Sequence, residues 1–134
     1  MAEIIIPEEW GKVSLKMALP DKRLFWNRRT QTFALAALKK QSRRDGWLAA
    51  DETLPHADIP ELLKWKGYLI EPHYPDARRR DDDSLIHACK GILDGIFVDY
   101  LRVDDSKVRS LGCEPTIERK IKPFMYIHLF YEEI

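Results

Sequence analysis

Long hydrophobic runs are missing from this sequence. Charged residues interrupt every apolar stretch before it approaches the ~18 residues that a bilayer-spanning helix needs. The segment from Met1 to Ile6 carries Glu3 and stops at Pro7-Glu8-Glu9, without the basic flank and long apolar core of a secretory signal. The expectation is a cytoplasmic protein with no membrane partner. Cysteine is scarce as well. Cys89 and Cys113 are the only two, their spacing fits no zinc pattern, and a reducing compartment argues against a disulfide. Both are expected to be ordinary thiols, with Cys89 packed in a core. A charge excess of either sign is also absent, since 22 basic residues face 22 acidic ones. That balance speaks mildly against binding nucleic acid through a global basic surplus and leaves the distribution of charge to decide. At 134 residues there is room for one compact domain, 1–134, and none for a second enzymatic domain.

What is present has clear periodicities. Val13, Leu15, Met17 and Leu19 alternate with Lys12, Ser14, Lys16 and Ala18, the period of two of a half-buried strand ending at Pro20. From about Thr30 to Arg44, Phe33, Ala34, Ala37, Leu38 and Gln41 recur at helical spacing. Lys39, Lys40, Arg43 and Arg44 then fall in the last turns, where the helix dipole favours cations. Asp51 to Pro60 reads as a connecting loop, Lys66 to Glu71 as a strand running into Pro72, and His73 to Asp82 as a second loop. Leu85, Ile86, Cys89, Ile92, Leu93 and Ile96 define an amphipathic helix from Asp83 to about Gly95, which supplies a stop. Its opposite stripe is Asp83, His87, Lys90 and Asp94. A strand near Lys107 to Leu111, a loop from Gly112 to Lys122 and a strand from Phe124 to Tyr131 complete the chain. The order strand, helix, strand, helix, strand, strand indicates a mixed α/β domain with a central sheet and two main helices.

The chemistry gathers around Asp81, Asp82 and Asp83, which stand between the run Arg78-Arg79-Arg80 and a helix start. Alone, such an acidic run is most simply a helix cap. A second pair, Asp104-Asp105, follows the helix, and a chain reversal would bring it back toward the first. Converging carboxylates repel one another unless a divalent cation sits among them, and oxygen-only ligands suit Mg²⁺, or Mn²⁺ in its place, better than zinc. Arginines beside such a centre bind phosphates, while His87 and Lys90 lie one and two turns past Asp83, within reach of an attacking water or a leaving oxygen. Other basic groups are Arg28-Arg29, Lys107, Lys120 and Lys122. Trp10, Trp26, Trp47 and Trp65 are expected in core or interface, with Trp26, beside Arg28-Arg29, the candidate for contact with DNA.

The segment Tyr74-Pro75-Asp76-Ala77-Arg78-Arg79-Arg80-Asp81-Asp82-Asp83-Ser84-Leu85, then a helix, then Val103-Asp104-Asp105-Ser106-Lys107-Val108, resembles the RusA family of phage and prophage Holliday junction resolvases. The resemblance is close from Tyr74 to about Val108, looser toward the C-terminus and weak before Trp65. It implies a homodimer in a phage or bacterial host cell that nicks four-way DNA junctions in recombination and repair using Mg²⁺. Asp81, Asp83 and Asp105 would be the essential ligands, Asp104 would support the metal, and Arg80 would support a phosphate. Ser84 stands where the family has Asn, and His87 stands at a position that is basic in some members, so the cationic role passes to His87 or Lys90. Leu19-Pro20 and Asn27 only faintly echo the family's N-terminal loop. The DNA-binding set is then Arg78, Arg79, Arg80, Lys90, Lys107, Arg28 and Arg29. Alternatives are a catalytically idle junction-binding protein of phage recombination or packaging, an enzyme acting on another phosphate substrate, and a capped helix in an interaction module without metal.

Overall fold

The computed structural model describes residues 5–25 and 32–134, except for the side chain of Asp105. Arg28, Arg29, Trp26 and Asn27 lie outside the described residues. The strands are β1 (Gly11–Met17), β2 (Leu63–Tyr74), β3 (Arg109–Cys113), β4 (Thr116–Ile117) and β5 (Phe124–Glu133). They form one mixed sheet in the order β1-β5-β2-β3, with β4 also paired to β2. β5 runs antiparallel to both of its neighbours, whereas β3 and β4 run parallel to β2. The helices are α1 (Thr32–Thr53), α2 (Asp82–Ala88) and α3 (Lys90–Asp94), the last continuing into a π-helical stretch, Gly95–Tyr100. This is the expected α/β domain, with α2, α3 and the π stretch forming one bent second helix. No helix of the described residues is long and apolar enough to cross a membrane.

Alternation along the strands decides which face carries the core. Leu15, Ile70, Ile127 and Leu129 are fully buried on one face, against Leu85, Cys89, Ile92, Leu93, Ile96 and Phe97 of the second helix. Cys89 is buried as expected, its Sγ 3.8 Å from Met125 Sδ, and burial pushes its thiol up to about 12. Trp65 joins this core and meets Tyr131 edge to face, while Trp10 donates from its indole to Glu132. Trp47 is 38% exposed and packs edge to face on Tyr100.

Several boundaries differ from the sequence expectation, each for a packing reason. β2 runs straight through Pro72 to Tyr74. Pro72 is tolerated because its neighbour is interrupted there: β3 pairs with β2 as far as Ile70 and β4 takes over at His73, so a missing N–H breaks no ladder bond. Thr116–Ile117 is thus a short strand within the expected loop, and β3 begins at Arg109 after a 3₁₀ turn, Asp105–Lys107. Helix α1 extends to Thr53, past the expected end at Arg44, and Leu54–His56 adds a 3₁₀ turn, so the expected loop starts late. The buried residues of α1 are Ser42, Gly46 and Ala50, not the Phe33 stripe, and Phe33 itself is 88% exposed.

Close approach of two helices explains that small-residue stripe. A Cβ at Gly46 would collide with the carbonyl oxygen of Ile92, and a Cβ at Gly95 with that of Arg43. Gly95 therefore does not stop the helix. It lets the backbones of α1 and the second helix touch, and the chain continues as a π turn to Tyr100. The reversal comes at Arg102, whose φ of 57° is left-handed.

Candidate functional site

The arginine loop between β2 and α2 is organised by Asp76. Its carboxylate accepts from the Arg78 backbone N–H at 3.0 Å and from the Arg80 guanidinium at 3.1 Å. The backbone bond first, and then Arg80, hold the Asp76 carboxyl below the usual carboxylate range. Arg80 also donates to the carbonyls of Asp76 and Arg78 and lies 3.9 Å from the centre of the Tyr74 ring. Burial pushes the Tyr74 hydroxyl up to about 12, so it remains a neutral platform. Arg80 is therefore the clasp of the loop, whereas Arg79 is exposed and has no ion-pair partner among the described residues.

This loop walls a cleft of about 450 Å³ whose other side is the 3₁₀ turn Lys22–Leu24 with Phe25, and whose lining includes Arg78, Arg79, Asp81 and Ser84. Across that turn lies a second cleft of about 330 Å³, lined by Arg23, Lys39, Arg43, His87, Lys90 and Asp94. Phe25 lines both. The fold thus brings Lys39 and Arg43 of α1 beside His87 and Lys90, and sets them next to the arginine loop. Three members of the expected stripe, His87, Lys90 and Asp94, do share a face. Because α1 ends at Thr53, its cations sit in mid-helix and the dipole explanation for them fails. Arg43 is tied to Asp99 at 2.5 Å, which holds the Asp99 carboxyl down, while Lys39 is exposed.

Asp81 is the N-cap of α2, one oxygen accepting from the Asp83 N–H at 3.1 Å. Asp83 is exposed. Asp82 is half-buried beside Cys113, whose thiol is pushed up first by burial and then by that carboxylate. Asp104 accepts from the Ser106 hydroxyl at 2.8 Å and its N–H at 3.0 Å, which keep its carboxyl low. Because β2 and β3 are parallel, Asp81–Asp83 leave the end of one strand and Asp104–Asp105 enter the start of the other. Val108, three residues after Asp105, lies with Ile86, His87 and Lys90 around a pocket of about 230 Å³. Val108 thus meets the helix near His87, but parallel pairing sets Asp104–Asp105 and Asp81–Asp83 at opposite strand ends, and the expected return of the second acidic pair to the first is not seen among the described side chains. Among the described residues no three His, Cys, Asp or Glu side chains form a group that could hold a metal ion. Lys107 is exposed beside Asp104, away from the two basic clefts.

The sequence reading missed a polar cluster on the helix-free face of the sheet. His128 donates from Nε2 to Glu71 Oε1 at 3.0 Å and accepts at Nδ1 from the Ser14 hydroxyl at 2.6 Å. His73, expected in a loop, is buried on β2, bonds the other Glu71 oxygen and stacks on Phe124. Register brings the group together, since Ser14 faces His128 across β1 and β5 and Glu71 faces Tyr126 across β2 and β5. No local motif announces it, because its members are far apart in sequence. Burial pushes the Glu71 carboxyl up, but hydrogen bonds from His128 and His73 outweigh it and hold the group below its usual 4.5. A depressed carboxylate stabilises the fold above its unfolded pKa, and that contribution is lost as pH falls through the folded value. Wild type should therefore be more stable than Glu71→Gln at pH 7, with the gap closing below about pH 4.5; thermal melts of both proteins across pH 7 to 3 measure it.

The chain matches no known family model, and no curated protein matches it.

Proposed function

We propose that this chain is a metal-dependent, structure-specific DNA endonuclease of the RusA type that resolves Holliday junctions and related branched DNA by paired phosphodiester hydrolysis. The observation that carries the reading is the pair of adjoining cationic clefts, with Asp81 in one and His87 and Lys90 in the other. Cations drawn from separate parts of the chain share one side of a molecule without net charge, as phosphate-backbone binding requires. The homodimer, the host-cell cytoplasm and a role in recombination and repair belong to the same proposal.

By type, oxygen-only donors suit Mg²⁺ or Mn²⁺, while among the described residues no three of them stand together as a group that could hold the ion. Asp83 is exposed, Asp81 keeps an oxygen outside its capping bond, and Asp104 and Asp105 stand on the turn that leads to Val108. These carboxylates would hold the ion, which when bound supplies an activated water and charge stabilisation at the phosphate. Arg78 and Arg79 bind the flanking phosphates, and Arg80 fixes the loop that presents them. His87 or Lys90 is the group this reading places toward the leaving oxygen.

The test is cleavage of a synthetic four-way junction against a matched linear duplex in Mg²⁺ or EDTA. Paired nicks confined to the junction and abolished by EDTA support the proposal. A junction bound tightly but left intact in both Mg²⁺ and Mn²⁺ favours the idle-binder reading, for which the capping bond of Asp81 and the Ser106 bonds of Asp104 speak. The clefts also make a prediction independent of cutting. Lys39→Gln combined with Lys90→Gln should lower the slope of log binding constant against log salt by about 1.8, at ~0.9 per phosphate contact. Gel-shift titrations between 50 and 200 mM salt, about the range over which such contacts are lost, measure it.

A further inference from the structure

Ser84 sits in α2 at 4% exposure, lines the cleft beneath the arginine loop, and its Oγ has no hydrogen-bond partner among the described residues. A buried hydroxyl without a partner forfeits the hydrogen bonds it makes in water, so its retention at the floor of a cationic cleft needs a reason. The same cleft is lined by Arg79 and Lys22, both exposed and without ion pairs among the described residues. Arg80, committed to Asp76 and Tyr74, forms the rigid back wall. Asp81 contributes the one carboxylate of the lining among the described residues, and one of its oxygens is already engaged by the Asp83 N–H. The cleft, at about 450 Å³, has room for a phosphate and an adjoining sugar.

We propose that this cleft seats one phosphodiester group of a nucleic-acid strand, held by the Ser84 hydroxyl and by Arg79 and Lys22. The inference rests on the nucleic-acid reading and assigns it a defined subsite. Ser84 acts there as a geometric selector. A hydroxyl at the floor donates one hydrogen bond to a non-bridging oxygen, whereas the flexible cations supply attraction without fixing position.

The experiment is titration of the metal-free full chain with a thymidine dinucleotide and, separately, with inorganic phosphate, at constant ionic strength, followed by amide chemical shifts. Dinucleotide binding should weaken about tenfold in Ser84→Ala and about as much in Arg79→Gln, with no change in Lys12→Gln on β1. Arg79 is exposed, so its variant keeps the test sound should Ser84→Ala lose the fold, which a thermal melt reports. Equal dinucleotide affinity in wild type and both cleft variants overturns the proposal, as does the lack of saturable shifts at residues of the cleft. If the variants weaken only inorganic phosphate, the site takes a free or terminal phosphate and the strand assignment falls. Cleavage is read separately. A chain that binds here but cuts no junction sinks the nuclease and keeps the subsite, while a nuclease whose cutting and binding ignore Ser84→Ala and Arg79→Gln keeps its activity and loses the subsite.

Discussion

Asp81→Asn is expected to remove junction cleavage by about a hundredfold or more while leaving junction binding intact or tighter. Loss of an outer partner of a metal site already costs about 10–100-fold, and a direct ligand costs more. Binding should not suffer, because the substitution deletes an anion from a cleft lined by Arg78, Arg79 and Lys22. The choice of Asn matters for reading the result. Asp81 caps α2 through a carboxyl oxygen, and Asn caps a helix about as well, so the fold should be preserved. Asp81→Ala, by contrast, should cost about 1 kcal/mol of stability as well, from the lost cap. Cleavage time courses, gel shifts in EDTA and thermal melts on the three proteins separate the effects. Cutting by Asp81→Asn at the wild-type rate would leave Asp81 a cap and nothing more.

Gly95→Ala should destabilise the protein by about 3 kcal/mol or more, a large effect for a single methyl group. The new Cβ would be driven into the Arg43 carbonyl, and backbone cannot swing aside as the end of a long side chain can. Relief requires α1 to lift off the second helix. That movement would also disturb the Arg43–Asp99 ion pair and the Trp47–Tyr100 contact, which join the same two elements. Since Arg43, His87 and Lys90 line one cleft, the lift should weaken DNA binding in parallel. Urea denaturation followed by tryptophan fluorescence measures the first effect, and a midpoint equal to that of wild type would show that the helices do not meet there.

Where one segment's own pattern is decisive, the sequence was legible. Strict alternation marked β1 and β5, and a helical period with Cys89 on its buried side marked α2 and α3. Relationships between distant segments stayed hidden. α1 buries Ser42, Gly46 and Ala50, residues with too little apolar surface to stand out, so its core-facing side was misjudged. Gly95 is a sound helix stop by local rules, yet here its lack of a side chain serves a helix crossing. Pro72 ends a strand in most settings, and only a gap between β3 and β4 shields it. Of the candidate site, the chain order gave the acidic cap, the arginine loop and the His87–Lys90–Asp94 face. It did not give the turn Lys22–Leu24 as the divider of two clefts, nor the absence of a partner for Ser84 among the described residues, because both depend on what packs nearby.

The sheet order also bears on synthesis. β5 lies between β1 and β2, so the strand that ties the sheet together is the last of the strands in chain order. As the polypeptide leaves the ribosome, β1 and β2 emerge with no ladder partner between them, and the apolar sides of Val13, Leu15 and Ile70 await Ile127 and Leu129. Helices α1 to α3 can begin to form from local contacts during this interval, but the sheet cannot close around them until β5 is free of the exit tunnel. Closure of the sheet thereby waits for β5, and until then the nascent chain has its strand edges open to chaperones or to other unfinished chains.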